Sequence, residues 1–215
     1  MFQLLDRIGH LVLLNFIWLL CCLPVVTIIP ATTAFYYATV KSVRRGRGYP
    51  LREYWNSFRS NLKRGIPLNL VLLALGLLLV YNQKAAAAAG TAEGAVFSMI
   101  YLVLLFFFTG FLVYICPVLS RFSIRMRRLA GMASGMVFRH LPVTILLVAG
   151  TAGCGMLLLS ALLVTDPQQG GAAPTAALLL LLPGGWCYLS TFLVEPVLKK
   201  YMPPQPEGDS SWYYE

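Results

Sequence analysis

The side chains that could transfer protons or bind a metal are few in this chain. Its only histidines are His10 and His140, so a zinc site or a histidine-based reaction has almost no ligands or bases to draw on. Phosphate-binding loops and nucleophile motifs of known spacing do not occur in the sequence. We therefore expect no enzymatic activity, no metal and no cofactor.

Glu195 is the acid that comes closest to the interior of an apolar run. Acidic, basic or histidine side chains inside a membrane span mark ion pathways and proton relays. Glu195 lies four residues before Lys199 and near the end of its run, which is the spacing of a helical ion pair. We predict a paired residue at the inner boundary, which argues against proton- or sodium-coupled transport by this chain alone.

Helix breaks and neutral polar groups form a second kind of candidate site. The triplet Pro183-Gly184-Gly185 interrupts the last apolar run, and aromatic residues follow it. A broken span can expose backbone groups to a substrate, and neighbouring aromatic rings can stack on a sugar. The alternative is a kink with close helix packing, because glycine is common in membrane helices. The predicted substrate or partner contacts are Asn15, Trp18, Trp55, Pro183, Gly184, Gly185, Trp186 and Tyr188.

Long apolar runs must position these residues. The chain is 58% hydrophobic and 12% charged, whereas soluble domains carry roughly 25% charged residues. A helix needs about 20 apolar residues to cross the hydrocarbon core of a bilayer. Runs near or above that length are Ile8–Ile29, Ile66–Tyr81, Ala95–Leu119, Leu141–Val164 and Ala172–Val194. The fold class is therefore all-α, a polytopic helical membrane bundle.

Two basic stretches, residues 41–65 and 120–140, hold thirteen of the 17 Lys and Arg residues. Basic residues concentrate in cytoplasmic loops, so both stretches and the C-terminus are predicted to be cytoplasmic. Both abut apolar runs and lack a nucleic-acid-binding module, so we expect contact with anionic lipid headgroups and none with nucleic acid. The predicted inner-leaflet lipid contacts are Arg44, Arg45, Arg47, Arg121, Arg125, Arg127 and Arg128.

The N-terminal apolar segment admits two arrangements. Residues 8–43 are too many for one straight crossing at about 1.5 Å per residue, and Pro24 and Pro30 interrupt them. In the arrangement that we favour, one crossing from outside is followed by a helix that projects into the cytoplasm, which gives five spans. In the alternative, the chain crosses outward and returns as a short or re-entrant segment, which gives six spans and an N-terminus inside.

The two basic stretches share a helical pattern. Apolar residues recur on one helix face at Leu51, Trp55, Phe58 and Leu62, and a shift of 75 residues leads to Met126, Ala130, Ala133 and Val137. Each stretch also ends in Arg-x-[Ile/Leu]-Pro, where proline suits the first turn of the next helix. We interpret each as an amphipathic interfacial helix on the cytoplasmic side. The pattern fits either a weak internal repeat, as in transporters, or convergence of two inward loops.

Five short segments carry a resemblance. They are Asn15–Thr27, Pro30–Ala34 with Tyr36-Tyr37, Pro117–Phe122, Arg139–Pro142 with Thr144, and Lys199–Tyr201. These segments resemble the YesL family of bacterial membrane proteins, a family of unknown function. The resemblance implies a protein of the bacterial cytoplasmic membrane and an association with genes for uptake and breakdown of complex carbohydrates. It implies no catalytic or binding residues.

The expected organisation is one integral membrane domain, residues 1–201, followed by a disordered tail, residues 202–215, whose composition cannot bury a core. The expected function is an accessory or regulatory role in carbohydrate uptake, with membrane lipids and the membrane subunits of a sugar importer as partners. The alternative is a small transporter acting on its own. The oligomeric state is left open.

Overall fold

The computed structural model describes residues 2–122, 126–164 and 172–202, and over these residues it is helical throughout apart from short connections. This confirms the all-α prediction. The helices are α1 (Phe2–Cys22), α2 (Ile28–Ala38), α3 (Pro50–Ala88), α4 (Ala92–Arg121), α5 (Met126–Arg139), α6 (Leu141–Val164) and α7 (Ala172–Lys199). The predicted tail lies outside the described residues from position 203 onward.

Among the described residues, four helical segments are long and apolar enough to cross a membrane, as the sequence of a multi-pass membrane protein requires. They are Pro50–Ala88, Ala92–Arg121, Leu141–Ala161 and Ala177–Lys199. The predicted fifth or sixth span depends on the N-terminal segment. There the apolar helix Gly9–Cys22 is shorter than these four, so the span count stays a prediction.

The N-terminal helices α1 and α2 form an antiparallel hairpin. The indole nitrogen of Trp18 donates to Thr32 Oγ1 at 3.2 Å, and the Trp18 ring stacks on Phe35 with centroids 5.6 Å apart. Thr27 closes the turn, since its hydroxyl lies 2.6 Å from the carbonyl oxygens of both Cys21 and Pro24. Both ends of the hairpin therefore lie at one end of the fold. This differs from the arrangement favoured by the sequence and resembles the alternative one.

Helix α2 is the central element of the fold and does not project from it. It packs against α1, α3, α4 and α7. Its small residues Ala31, Ala34 and Ala38 are fully buried, which lets neighbouring backbones approach closely. A Cβ added at Gly65 of α3 would lie 2.9 Å from the Pro30 ring. The helix continues as a π-helical segment, Thr39–Arg44.

A tight connection links this segment to α3. Gly46 and Gly48 have φ angles of 66° and 78°, a left-handed conformation that favours glycine. The turn brings Lys41 within 2.7 Å of the Glu53 carboxylate. Burial by itself lowers the pKa of Lys41, but the hydrogen bonds to Glu53 and Tyr37 outweigh it, so the pKa of this amine lies above its ordinary value.

Helix α3 begins at Pro50, within the first basic stretch, and runs unbroken into the apolar run. Its 39 residues correspond to a length of roughly 58 Å, and Pro67 lies inside the helix. The second basic stretch differs, because α5 is a separate helix of 14 residues. The predicted apolar face is also only partly buried: Leu51 and Trp55 are 45% and 43% exposed, whereas Phe58 is buried. The two stretches therefore do not share one architecture.

Candidate functional site

A cavity of about 380 Å³, which we call the aromatic cavity, lies among α1, α2, α4, α6 and α7. Aromatic side chains form much of its wall, with Trp18 and Phe35 on the hairpin and Trp186 on α7. Aliphatic residues of α4 and α6, including Leu112 and Leu158, complete it. Such a wall suits an apolar molecule, because a polar solute would lose its hydration without gaining hydrogen bonds.

The hydroxyl groups in the cavity wall are largely engaged within the protein. Thr109 and Ser190 donate to carbonyl groups of their own helices at 2.8 and 2.7 Å. Thr151 donates to the Leu147 carbonyl and accepts from the Trp186 indole. Thr32 accepts from the Trp18 indole. Few donors remain for a sugar, which presents many hydroxyl groups.

The structure brings some of the predicted contact residues together. Trp18, Pro183 and Trp186 all line the cavity. Gly185 instead lines a second apolar groove between α6 and α7. Trp55 lies on α3 with the Arg59 guanidinium over its ring at 5.0 Å.

Tyr188 packs edge-on against Phe192 with ring centroids 5.3 Å apart. Neither Tyr188 nor Trp55 lines the aromatic cavity. The aromatic residues predicted as one group of contacts therefore lie at three different places in the fold.

The Pro183-Gly184-Gly185 triplet is a packing feature inside a continuous helix. Proline has no N–H, so the carbonyl of Leu179, four residues earlier, loses its intrahelical partner. Asn15 replaces it, since its side-chain amide donates to the Leu179 oxygen at 2.9 Å. Gly184 is buried, and an added Cβ would lie 3.6 Å from the Leu11 carbonyl oxygen on α1. Of the two interpretations of the triplet, the geometry favours close packing.

Trp186 closes one side of the cavity by lying flat over a glycine. A Cβ built on Gly150 of α6 would overlap the six-membered ring of Trp186. The Trp186 indole nitrogen also donates to Thr151 Oγ1 at 3.1 Å. The position of this ring therefore depends on the absence of a side chain at residue 150.

We expect Gly150→Ala to destabilise the protein by about 1–3 kcal/mol, the usual cost of overpacking. The added methyl group would displace Trp186 and break its hydrogen bond to Thr151. Gly153→Ala is the matched control on the same helix, because a Cβ there meets no atom within 4 Å. Thermal unfolding in detergent should separate the two variants, and equal melting temperatures would contradict this account of Trp186.

A buried ion-pair cluster lies next to the cavity. Glu195 Oε1 accepts hydrogen bonds from Arg121 Nη2 at 2.7 Å and from the Tyr36 hydroxyl at 2.9 Å. Arg45 Nη2 lies 3.6 Å from Oε2 of the same carboxylate. Glu195 is 2% exposed and the Arg121 side chain 3%. Tyr36 also lines the cavity, so the Glu195 cluster adjoins it directly.

The partners of Glu195 differ from the one expected. The sequence suggested Lys199 on the same helix, whereas the observed cations come from α4 and from the residue after the π-helical segment. Because buried charges must be paired, the carboxylate holds α2, α4 and α7 together at this end of the fold.

The basic residues predicted as lipid contacts separate into two groups. Arg44 donates to the Thr191 carbonyl at 2.9 Å and lies over the Phe192 ring, and Arg45 and Arg121 contact Glu195. These three guanidinium groups are directed at the protein. The exposed residues are Arg47, Arg127 and Arg128, while Arg125 lies outside the described residues.

The histidines and cysteines make no metal site in the described part of the chain, where no three His, Cys, Asp or Glu side chains lie close enough to hold an ion. His140 lies in the turn between α5 and α6, with its ring 6.3 Å from the ring of Tyr201. Burial, and then the charges of Lys200 and Arg139, lower the pKa of this imidazole below its ordinary value.

Two structural residues were missed in the sequence. Asn69 of α3 is 4% exposed; its Oδ1 accepts from the Ile29 N–H at 3.2 Å, and its Nδ2 donates to the Val25 carbonyl at 2.8 Å. Asn69 is the only side-chain amide in the apolar run Ile66–Tyr81, and this isolation could have identified it as a structural residue from the sequence. Tyr36 carried no such signal, because its partner Glu195 lies 159 residues away.

Comparison with known families gives one match. Residues 11–83 match a family described as a protein of unknown function, DUF624. The match covers about a third of the chain, from α1 through most of α3. YesL proteins belong to DUF624, so the match supports the resemblance at that wider level and over this region. Searches of curated proteins and of solved structures found no match.

Proposed function

We propose that this protein is an accessory or regulatory membrane protein of carbohydrate uptake, acting through contacts with other membrane proteins. The observation that carries the proposal is the pairing of Glu195, the one fully buried acid among the described residues. Its carboxylate is held between two arginines and a tyrosine. A carboxylate so engaged is suited to holding helices together, whereas a coupling group must exchange protons or ions.

The apolar cavity supports the same conclusion. Sites that select a sugar need hydrogen-bonding groups matched to its hydroxyls, and here the wall hydroxyls are engaged by their own helices and by tryptophans. The carbohydrate part of the proposal rests on the YesL resemblance. We also propose that the chain is not an enzyme and that its partners are the membrane subunits of a sugar importer.

The start of α3 offers a surface for such a partner. Tyr49, Leu51 and Trp55 are exposed there, beside the exposed Arg52 and Arg59. Exposed aromatic and arginine side chains together are typical of protein interfaces.

We further propose a cytoplasmic location for this surface and for both basic stretches. Arg45 and Arg121 come from different stretches and contact the same carboxylate, which supports placing both stretches on one side of the membrane.

Affinity purification from native membranes tests this proposal. We expect an importer membrane subunit to co-purify with the full chain, and the variant Leu51→Ala with Trp55→Ala to recover at least tenfold less of it. The control, Leu77→Ala with Leu78→Ala, removes exposed apolar side chains further along the same helix and should recover wild-type amounts. Recovery of the chain without any importer subunit would refute the proposed partner.

The alternative is a small independent transporter, and only the volume of the cavity, about 380 Å³, speaks for it, since such a space is large enough for a small solute. Sugar flux into liposomes that contain only this protein would support that alternative. Absence of flux, together with co-purification of an importer, would support the accessory role.

A further inference from the structure

A polar groove of about 630 Å³ lies between the first half of α3 and the end of α4. Its α3 wall has a row of polar residues, Glu53, Asn56, Ser57, Ser60, Asn61 and Arg64, with Lys63 beside them. On the other side, Ser120 and Arg121 of α4 complete it, and Tyr37 of α2 lies between them. We call this the polar groove. It is separate from the aromatic cavity, whose wall is mostly apolar.

The α3 wall is a continuous polar stripe. Relative to Glu53, its residues follow at i+3, i+4, i+7, i+8 and i+11, which places them on one face of a helix. The apolar stripe discussed above occupies another face of the same helix. Ser57 is only 8% exposed and Glu53 and Asn61 are half-buried, whereas Asn56, Ser60 and Arg64 are exposed, so the stripe borders a recess that is open to solvent. Polar side chains concentrated in a recess are expected to bind a polar molecule.

The groove is electropositive. Glu53 pairs with Lys41 at 2.7 Å, and Glu195 pairs with Arg121 at 2.7 Å. Lys63 and Arg64 add two further positive charges to the wall. The groove is therefore lined by three cations, Lys63, Arg64 and Arg121, against one lining carboxylate, Glu53. An excess of positive charge in a recess attracts anions, and Lys and Arg together are typical phosphate ligands.

The neutral groups of the stripe specify more than charge. Ser60 Oγ and Asn61 Nδ2 donate to the Ser57 carbonyl, each at 2.9 Å. Those bonds use donors, so the Ser60 hydroxyl oxygen and the Asn61 amide oxygen remain able to accept. Asn56 supplies a whole amide, with donors and an acceptor. Acceptors beside cations suit a ligand that carries hydroxyl groups as well as a phosphate.

We propose that the polar groove binds a hydroxyl-bearing phosphate ester, either as the headgroup of an anionic phospholipid or as a soluble polyol phosphate. Lys63 and Arg64 contact the phosphate, and Asn56 and Asn61 contact the hydroxyl groups. This site does not depend on the proposed function, because it rests on the groove alone.

Binding to the purified full chain in neutral detergent tests the proposal. The probes are short-chain phosphatidylglycerol, short-chain phosphatidic acid and glycerol phosphate, with short-chain phosphatidylcholine, which is zwitterionic and has no net charge, as the reference. We expect Lys63→Gln with Arg64→Gln to weaken binding of the phosphate probes at least tenfold. The control, Arg52→Gln with Arg59→Gln, makes the same change of charge on exposed residues outside the groove, and should change affinity less than twofold.

The arms of this experiment distinguish the ligand sources. Binding of phosphatidylglycerol alone supports a lipid headgroup, whereas binding of glycerol phosphate supports a soluble ester. Equal losses in both charge variants, or no preference of either phosphate probe over phosphatidylcholine, would overturn the proposal. Asn56 is uncharged and exposed, so Asn56→Leu leaves the charge of the groove unchanged. This variant should weaken the binding of phosphatidylglycerol. It should not affect the binding of phosphatidic acid, which lacks the hydroxyl groups of the glycerol headgroup.

Discussion

Replacing Glu195 with alanine is expected to destabilise the protein by about 3–5 kcal/mol, because removal of one partner leaves buried charge uncompensated. Arg121 has a side chain that is 3% exposed, and it would lose its 2.7 Å bond to the carboxylate. Tyr36 would lose an acceptor at the same time. For a chain of this size, we expect the apparent melting temperature in detergent to fall by roughly 6–20 °C.

Two further variants make this result interpretable. Glu93→Ala removes an exposed acid from the first turn of α4 and should cost less than about 1 kcal/mol. Glu195→Leu combined with Arg121→Met should recover part of the stability that Glu195→Ala loses, because apolar residues of similar volume often replace a buried pair without loss. Wild-type melting of Glu195→Ala would show that the Glu195 cluster does not hold the helices together.

Substitution of Asn69 by leucine should have the second largest effect, about 2–4 kcal/mol. The leucine side chain is similar in size, but it leaves the Ile29 N–H and the Val25 carbonyl without their partner. Each buried polar group left unsatisfied costs about 1–3 kcal/mol. Both groups belong to the turn region of the hairpin, so proteolysis between α1 and α2 should also become faster.

Asn82→Leu is the matched control for this prediction. Asn82 lies on the same helix, and its side-chain amide donates only to the Leu78 carbonyl one turn earlier, at an exposed position. We expect a change below about 1 kcal/mol, as for most exposed substitutions. A similar loss of stability in both variants would mean that the contacts of Asn69 with the hairpin turn contribute nothing specific.

Hydropathy predicted three of the helices closely. The run Leu141–Val164 coincides with α6, Ala172–Val194 begins at the same residue as α7, and Ala95–Leu119 lies within three residues of both ends of α4. The agreement has a simple cause, because a helix that faces lipid must be apolar along its whole span. For α3 the agreement is poorer. The sequence predicted that this span starts at Ile66, whereas the helix begins at Pro50. Hydropathy measures the apolar length of a helix, and the charged first half of α3 belongs to the same helix.

The role of the N-terminal segment was much harder to predict. Its proline positions were compatible with a helix that projects into the cytoplasm or with a short or re-entrant returning segment, and neither interpretation predicted that α2 is at the centre of the fold. Instead, α2 lies at the centre, because Ala31, Ala34 and Ala38 allow several helices to approach it. Small residues indicate where close packing is possible, but they do not indicate which helices will use it.

At the candidate sites too, the sequence identified individual residues, and only the fold identified their partners. The sequence singled out Asn15 and Pro183 separately, and only the fold shows that the Asn15 amide bonds the Leu179 carbonyl that Pro183 leaves free. It also located the basic stretches, but not the inward direction of Arg45 and Arg121. That direction depends on a carboxylate 74 residues beyond Arg121.

By itself, the sequence determined that this is an all-helical chain with membrane-length apolar segments and two basic stretches, because composition and periodicity act along a single helix. The tertiary structure alone decided that α2 is central, that Glu195 is shared between two arginines, and that a polar stripe of α3 faces a groove. Those features join residues far apart in the chain, and the pairing of buried polar groups becomes defined only when the helices meet.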